Sequence, residues 1–431
     1  EKVFPINIHC PSKQCKTYSY EADSEDEKFE PGVNYDNWDL EPDVKIPKKK
    51  NEISELQSLF GNLNLKKKSP FKKNGCDFMT NTAQQPTALK HLDAPWRITF
   101  DTNPDDCNLN CVMCEEHSPY SPSHKARVKG ELEYRRMDIE TIERVITDCA
   151  TKGLREIIPS TMGEPLIYKH MPRIIELCHE HQVKLNLTTN GTFPRLGAEK
   201  WAHLIVPVGS DVKFSWNGAN QTAQSLVMVN NDFEKNMRDL RTFIDVRDAH
   251  AAEGGNYCSV TLQMTFMEMN LDQVPKVVEL AIREGVDRVK GHHLWAHFAE
   301  IKDQDMRRNQ DAIIRWNAIA RKCIDIANKN PLPNGNRIVL ANIYELDPDH
   351  GGELHPAATC PFLGQEAWVN HEGRFDPCCS PDELRQTLGY YGNVQNQGPL
   401  AIWQSAEYQN LMQNYLDNDV CRQCNMRQLP G

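Results

Sequence analysis

The chain has 431 residues, a formal net charge of −11 and 39% hydrophobic residues. This length suits one large domain with one or two smaller units. The negative charge argues against a general nucleic-acid-binding protein, and no run of about twenty apolar residues predicts a membrane span. The first residues also lack the apolar segment of a secretory signal. We therefore expect a cytoplasmic protein without a nucleic-acid or membrane partner.

Cysteine is the unusual component of the composition, with 15 residues in uneven clusters. A disulfide scaffold is typical of short secreted chains, and this chain is long. Metal binding in a reducing compartment explains the clusters better.

Residues 1–94 are polar and show little periodicity, which predicts a mostly irregular extension that can wrap the core. A short helix is predicted at residues 53–60. Cys10, Cys15 and Cys76 are irregularly spaced, so we do not expect them to be metal ligands.

Residues 95–334 alternate between strand and helix patterns. The predicted strands are 97–100, 155–160, 184–190, 211–216, 261–266 and 287–292. The predicted helices begin at the N-cap candidate Asp138 and continue at 172–182, 233–248, 272–284 and 309–329. Six strands separated by helices predict a parallel α/β sheet or partial barrel. In such folds the chemistry lies in loops at the carboxyl ends of the strands.

The first strand is followed by Cys107, Cys111 and Cys114 in a CxxxCxxC pattern. Three thiolates suit an iron–sulfur cluster and would leave one iron open for chemistry. A zinc site with a distant fourth ligand is the alternative, although zinc sites usually contain paired CxxC elements. The motif resembles that of the radical S-adenosylmethionine (SAM) superfamily. The resemblance implies a partial (β/α)6 TIM-like barrel, a SAM-binding [4Fe–4S] cluster and cleavage of SAM to a 5′-deoxyadenosyl radical.

Further segments are similar to cofactor-binding elements of that family. Gly163, Glu164 and Pro165 follow the second strand and resemble the GGEP element that receives the methionyl ammonium, with Met162 in place of its first glycine. Asn190 lies in a Thr-Asn-Gly turn after the third strand. The resemblance also implies a cofactor contact at Met113, within the cysteine motif.

Ser215 and Asn217 close the fourth strand, where family members contact the ribose or the carboxylate of SAM. Gln263, on the fifth strand, is a weaker candidate. Each could instead be a turn-former or a half-buried strand residue.

The sixth strand ends in a histidine-rich segment with His292, His293 and His297. Histidines at this edge could bind polar groups or move protons. Packing or solvent exposure is the alternative for each of them. Glu268, just after the fifth strand, is a similar catalytic candidate.

Residues 335–431 contain a second set of cysteines, with a predicted hairpin at WVNHEGRFDPCC that turns at Gly373. The spacing resembles the SPASM or shortened twitch auxiliary-cluster domain. The two further cysteines of a full SPASM pattern are missing after Cys424, which favours a one-cluster twitch domain. A four-thiolate zinc site is the alternative, and Cys379 competes with Cys378 as a ligand. The ligands that the resemblance implies for a second [4Fe–4S] cluster are Cys360, Cys378, Cys421 and Cys424.

The resemblance therefore predicts a radical SAM enzyme. We expect it to abstract hydrogen from a small polar, carbohydrate-like metabolite, giving oxidation, epimerisation or elimination with help from the second cluster. A reducing partner such as flavodoxin or ferredoxin is implied. Modification of a ribosomal peptide is the first alternative, and a zinc-stabilised binding protein without catalytic activity is the second.

Overall fold

The computed structural model describes residues 89–347, 358–424 and 426–428. The predicted helix at 53–60 and the cysteines Cys10, Cys15 and Cys76 lie outside the described residues. No helix of the described part is long and apolar enough to cross a membrane.

A nine-stranded sheet forms the centre of the described chain. Its strands are β1 (Arg97–Phe100), β2 (Glu156–Ile158), β3 (Lys184–Thr189), β4 (Gly209–Ser215), β5 (Ser259–Phe266), β6 (Arg288–His293), β7 (Val339–Ala341), β8 (Glu366–Val369) and β9 (Phe375–Asp376). The strand order is β7-β6-β5-β4-β3-β2-β1-β8-β9, and only the β8–β9 pair is antiparallel. Strands β1 to β6 lie side by side in chain order, so the predicted parallel α/β architecture is confirmed.

Thirteen α-helices accompany the sheet in the described part of the chain. They are α1 (Pro122–Val128), α2 (Ile139–Ala150), α3 (Met171–Glu180), α4 (Ala198–Ile205), α5 (Gln221–Val227), α6 (Phe233–Ala252), α7 (Val274–Arg283), α8 (Gln310–Lys329), α9 (Asp382–Gln386), α10 (Val394–Gln397), α11 (Pro399–Trp403), α12 (Ala406–Asn414) and α13 (Asp419–Arg422). The sequence analysis did not predict α1, α4 and α5, and it gave no bounds for the helices α9 to α13.

Local sequence explains where the longest helices begin. The side chains of Asp232 and Asn309 accept hydrogen bonds from the backbone amides of Lys235 and Ala312, at 2.9 Å in both cases, and so cap α6 and α8. Such caps satisfy amides that have no partner inside the helix. Asp138 occupies the predicted N-cap position of α2, but its side chain makes no capping hydrogen bond.

Alternation along the strands gives the sheet two different faces. In β4, Val212 and Phe214 are fully buried in the hydrophobic core, whereas Lys213 and Ser215 point to the opposite face. Successive side chains of a strand point to opposite faces. The inner face of the sheet is therefore polar. The space that this face lines is called the lumen below.

The C-terminal zone shares the sheet with the barrel. Strand β8 pairs in parallel with β1, and β9 returns antiparallel to β8. Gly373 has a φ of 80° in the connecting turn, so the predicted hairpin is confirmed. Strand β7 joins the other edge beside β6. Since β7 to β9 all follow the boundary predicted at residue 335, the hydrogen-bonded sheet extends across that boundary.

Candidate active site

The loop after β1 brings Cys107, Cys111 and Cys114 into one largely buried region, where each thiol interacts electrostatically with another. Burial raises the pKa of Cys107 to about 12 and that of Cys114 to about 11. The pKa of Cys111 is raised by burial and then by the two neighbouring thiols. A bound metal cation favours the thiolate, so these groups suit a site in which iron supplies the positive charge.

Hydrogen-bond donors also approach the sulfur of Cys107. The backbone amide of Leu109 donates to its Sγ at 3.5 Å, and Asn190 Nδ2 lies 3.8 Å from it. Hydrogen bonds to cluster sulfurs are typical of iron–sulfur proteins. Among the residues that the structure describes, no three His, Cys, Asp or Glu side chains are placed to hold a single metal ion. Each thiolate of a cubane binds a different iron, and the three-cysteine loop fits that group.

Ion pairs fix the cysteine loop from both sides. Arg135 Nη2 lies 2.7 Å from Asp105 Oδ1, and Arg136 Nε lies 2.7 Å from Asp106 Oδ2. Both carboxylates are buried directly before Cys107. The sequence analysis missed these residues, although an Asp-Asp pair followed about thirty residues later by an Arg-Arg pair was a visible signal. The remaining members of the network are Glu116 and Arg127.

The Gly-Glu-Pro segment packs directly on the cysteine loop. The amide of Glu164 donates to the carbonyl of Asp106 at 2.7 Å, and Asn103 Nδ2 donates to the carbonyl of Glu164 at 3.0 Å. Pro165 is buried and begins a short 3-10 helix (Pro165–Ile167). Gly163 has a φ of 77° and lies against the backbone of Asn103. The segment therefore joins the end of β2 to the loop after β1.

The carboxylate of Glu164 already has partners within the chain. It accepts hydrogen bonds from Thr189 Oγ1 at 2.8 Å and from the amide of Asn190 at 2.7 Å. The amide of Leu166 donates to it at 3.2 Å. Burial raises the pKa of Glu164 to about 7. These contacts give Glu164 a positioning function, and its role toward the methionyl ammonium stays a prediction.

Asn190 connects the turn after β3 to the cysteine loop. Its Nδ2 donates to Asn108 Oδ1 at 2.8 Å, and its Oδ1 accepts from the amide of Thr192 at 3.0 Å. Asn236 on α6 donates to the carbonyl of Asn190 at 3.1 Å. Asn108 and Asn236 were not candidates from sequence, since nothing local marks a contact between distant segments.

The other predicted cofactor residues fall into two groups. Ser215 and Gln263 are half-buried neighbours on β4 and β5, on the lumen face. Asn217 is buried, and its Oδ1 accepts a hydrogen bond from the amide of Thr265 at 2.9 Å, so its side chain joins β4 to β5. Met113 is half-buried and packs against a small apolar cluster beside the loop.

The three histidines at and after the end of β6 point in different directions. His292 is exposed on the lumen face, where desolvation by the surrounding atoms and then the charge of Lys290 lower its pKa to about 4. His293, on the opposite face, packs between Phe266 and Trp316, with ring centroids 5.5 Å and 4.6 Å away. His297 is half-buried and interacts electrostatically with Glu116 of the cysteine loop. This packing argues against the catalytic role predicted for His293, which stays a prediction, because one step along a strand places a side chain on the other face.

Glu268 does not face the lumen as a free carboxylate. It pairs with Arg308 and, at 2.7 Å, with Arg315. Hydrogen bonds from these arginines, with Arg315 first, lower the pKa of Glu268. A carboxylate held by two guanidinium groups is a poor proton acceptor, so the structure argues against the catalytic role predicted for Glu268.

The second set of cysteines also converges. Cys360 interacts electrostatically with Cys378 and Cys424, and Cys421 interacts with these three. Burial raises the pKa of Cys360 to about 11. Cys378 is half-buried, with its Sγ 3.2 Å from Ser380 Oγ, whereas Cys379 is exposed. The chain thus brings the four predicted thiols together. Cys379 interacts electrostatically with Cys378, Cys424 and Cys360 as well, so the choice between Cys378 and Cys379 as a ligand stays a prediction.

A buried ion network lies between the two cysteine regions. Arg385 on α9 contacts Asp101 Oδ2 at 2.8 Å and Asp376 Oδ2 at 3.3 Å. Asp101 follows β1 at the start of the first cysteine loop, and Asp376 lies two residues before Cys378. The network therefore joins the segments that carry the two sets of thiols.

Two family domains match this chain. The radical SAM superfamily domain matches residues 104–281, and the iron–sulfur cluster-binding domain called SPASM matches residues 360–425. The first match covers the cysteine loop and strands β2 to β5, and the second covers the auxiliary cysteines.

Among curated proteins, the chain is similar to two enzymes named probable GTP 3′,8-cyclase. The Pyrococcus abyssi protein is 36% identical over 87 residues, covering 20% of this chain and 24% of that protein. The Methanococcus maripaludis (strain C5) protein is 24% identical over 181 residues, covering 42% of this chain and 53% of that protein. The chain thus spans about half or less of these relatives.

Among solved structures, Streptococcus suis SuiB bound to S-adenosylmethionine has a TM-score of 0.54 at 13% identity, covering 78% of this chain and 72% of that one. SuiB bound to its precursor peptide SuiA also has a TM-score of 0.54 at 13% identity, covering 88% of this chain and 82% of that one. These similarities concern the fold.

Proposed function

The chain is a radical SAM enzyme with a SPASM iron–sulfur cluster-binding domain, and on this premise we propose that it abstracts hydrogen from a small polar metabolite held in the lumen. Its two domains imply [4Fe–4S] clusters and SAM as cofactors. When bound, these cofactors supply a 5′-deoxyadenosyl radical, which can remove hydrogen from an unactivated carbon. The observation that carries the proposal is the polar lumen face of β4 to β6, because the carboxyl ends of these parallel strands lie at the same edge of the sheet as the cysteine loop after β1.

At the cofactor site, some residues of the chain would bind the cluster and others would position the loops. Cys107, Cys111 and Cys114 would hold the cluster, since the loop brings their thiols together in a site that suits cationic iron. Glu164 and Asn190 would hold the loops after β1, β2 and β3 in a fixed arrangement. Such positioning by buried hydrogen bonds is how a fold fixes a reactive group relative to its substrate.

The substrate would lie against the polar side of β4, β5 and β6. Ser215 and Gln263 offer hydrogen-bonding groups there, and His292 is neutral near pH 7 because its pKa is about 4. Hydroxyl groups both donate and accept hydrogen bonds, so this mixed lining supports a hydroxylated, carbohydrate-like substrate.

The second set of cysteines would serve electron transfer. Four thiolates from Cys360, Cys378, Cys421 and Cys424 would leave no iron open to substrate. Removal of one electron after hydrogen abstraction gives a net two-electron oxidation, whereas return of the hydrogen gives epimerisation. A reducing partner such as flavodoxin or ferredoxin would supply the first electron, and the reducing cytoplasm is where such clusters persist.

Peptide modification is a second candidate. Leu226, on α5 after β4, and Trp295, just after β6, are exposed by 56% and 54%. Exposed apolar side chains of this kind suit contacts with a peptide. The non-enzymatic zinc-binding alternative is not retained, because the radical SAM domain matches the segment that carries the first cysteine motif.

Replacement of Cys107, Cys111 and Cys114 by Ala tests the proposal. The anaerobically reconstituted wild-type chain should bind about eight irons, because two cubanes are expected. The triple variant should bind about four irons and release no deoxyadenosine, since the cluster that contacts SAM would have lost its ligands. Iron and sulfide analysis and chromatographic measurement of deoxyadenosine under strong reductant provide the readout.

A Cys149→Ala variant is the matched control, because that cysteine is buried in the core on α2, away from both cysteine sets. Retained SAM cleavage in the triple variant would refute the assignment of the three thiols. In the wild-type enzyme, transfer of deuterium from labelled candidate substrates into deoxyadenosine would show whether the substrate is a small metabolite or a peptide.

A further inference from the structure

One layer of charged side chains on the lumen face is called the floor below, and its charges are paired with one another. Its members are Arg97, Glu156, Asp211, Lys213, Arg288 and Glu366. Arg97 on β1 lies between two carboxylates, with Nη2 2.5 Å from Glu156 Oε1 and Nη1 3.1 Å from Glu366 Oε1. Asn186 Nδ2 also donates to Glu156 Oε1 at 3.0 Å. Burial in this position raises the pKa of Glu366. This half of the floor is closed by complete ion pairs.

The other half of the floor is paired in the same way. Asp211 on β4 lies 3.1 Å from Arg288 Nη1 and 3.5 Å from Lys213 Nζ through its Oδ2. Thr261 Oγ1 donates to Asp211 Oδ1 at 2.8 Å, and Lys213 also donates to Asn186. Three cations thus share three carboxylates across the floor.

Lys290 lies one layer above this floor and has no such partner. It is half-buried on β6, opposite Gln263 in the strand register, and shares the lumen face with Arg288 and His292. Among the residues that the structure describes, no carboxylate forms an ion pair with its ammonium. At longer range its charge is attracted by the carboxylates of Asp211 and Glu366. It is repelled by Arg288 and Arg97. The side chain of Lys290 therefore points into the lumen, above the two paired halves of the floor.

We propose that Lys290 binds an oxyanion of the substrate, a carboxylate or a phosphate ester, in the lumen above the paired floor. A partly buried charge without a counter-ion is costly, and an anionic ligand removes that cost when it binds. The two carboxylates that attract Lys290 at longer range, Asp211 and Glu366, are already paired with Arg288 and Arg97, so the anion would not have to displace an ion pair of Lys290. Gln263 and His292 adjoin Lys290 and could complete the contacts.

This inference rests on the proposed function, since it names the substrate class of the same lumen. Lys290 lies away from three of the predicted cofactor segments, since the cysteine loop, the Gly-Glu-Pro segment and the Thr-Asn-Gly turn follow β1, β2 and β3, whereas Lys290 lies on β6. It lies opposite Gln263, which is itself a predicted cofactor residue. A titration with SAM already bound therefore distinguishes an anion of a second ligand from the carboxylate of SAM.

The test uses reconstituted holoenzyme with SAM bound, titrated anaerobically with inorganic phosphate and, separately, with acetate at constant ionic strength. Calorimetry measures the dissociation constant of each anion. Lys290→Gln should weaken binding of the preferred anion by at least about tenfold, because it removes the charge and keeps a polar side chain of similar length. Lys290→Arg should retain much of the binding, since it keeps the charge.

Lys276→Gln is the matched control, because Lys276 is exposed on α7 in the same β5–α7–β6 unit. It should bind the anions as the wild type does. Tighter binding of phosphate than acetate identifies a phosphate ester as the preferred group, and the reverse order identifies a carboxylate.

Three results would overturn the inference: no anion binding by the wild type, equal binding by wild type and Lys290→Gln, or a weaker affinity for SAM when phosphate is present. The last would assign Lys290 to the carboxylate of SAM. Failure of the proposed function is seen separately, as an absence of deoxyadenosine from the wild-type enzyme under strong reductant.

Discussion

Gly163 shows how a single position depends on the absence of a side chain. A Cβ at this residue would lie 2.2 Å from the carbonyl oxygen of Asn103 and 2.9 Å from that of Asp106. Its φ of 77° is also unfavourable for any residue with a Cβ. The glycine thus permits the loop after β2 to touch the backbone of the loop that carries the first cysteines.

Gly163→Ala should therefore lower the free energy of unfolding by more than the cost of a positive φ alone. The backbone clash would force the two loops apart, and we expect a loss of about 2–4 kcal/mol together with loss of iron from the first site. Gly130→Ala is the control, since it has a φ of 73° and no atom within 4 Å of the added Cβ. It should cost about 1 kcal/mol. Anaerobic urea unfolding and iron analysis measure both effects, and equal losses in the two variants would contradict the packing argument.

At the scale of elements, helix α9 is joined to the end of β1 by the Asp101–Arg385–Asp376 network. All three side chains are buried, and Arg385 is the cation that both carboxylates contact. Burial raises the pKa of Asp101, and it raises that of Asp376 to about 6. Protons therefore stay on both folded carboxyls to higher pH than in the unfolded chain, so their contribution to stability falls as pH rises. For Asp376 this fall lies between about pH 3.8 and about pH 6.

Arg385→Gln should destabilise the protein by about 3–5 kcal/mol at neutral pH, because it leaves the buried carboxylate of Asp101 without its cation and leaves Asp376 paired with Arg374 alone. The loss should be larger at pH 8 than at pH 5, since protonation relieves the repulsion at the lower pH. Anaerobic urea unfolding at the two pH values provides the measurement. Arg321→Gln, which breaks an exposed pair with Glu345, should change stability by about 1 kcal/mol or less. A pH-independent loss in Arg385→Gln would contradict the role of the buried carboxyls.

At the scale of the whole molecule, the continuous sheet joins the barrel to the auxiliary-cluster region. Strand β8 pairs with β1 over four residues, and Arg97 pairs with Glu366 across the same junction. The buried residues Ala367 and Val369 belong to the same hydrophobic core as Ile98. The two regions therefore stabilise each other through both hydrogen bonds and apolar packing.

A chain that ends at Leu346 should not form a stable barrel. It would expose the edge of β1 and the apolar surface that β8 and β9 cover, and such edges promote aggregation. We expect a low soluble yield and a far-ultraviolet circular dichroism signal that melts well below that of the full chain. A soluble truncated chain with the thermal midpoint of the full chain would show that the barrel is independent of the C-terminal region.

The sequence by itself determined the features that depend on neighbouring residues. The six strands, the main helices, the hairpin at Gly373 and the cysteine spacings are patterns within short segments, where periodicity and turn chemistry act directly. The tertiary structure alone decided which segments meet. Arg385 contacts Asp101, which lies 284 positions away in the sequence. Strand β8 pairs with β1. Packing and burial in the folded chain select both contacts.

The same distinction applies to the candidate site. The sequence placed His292 and His293 together at the end of a strand, but the pleat sends one into the lumen and the other against Trp316. Lys290 was overlooked, although its alternation with the outward-facing residues of β6 was visible. Whether a charged side chain has a counter-ion depends on the strands around it, and only the folded sheet brings those strands together.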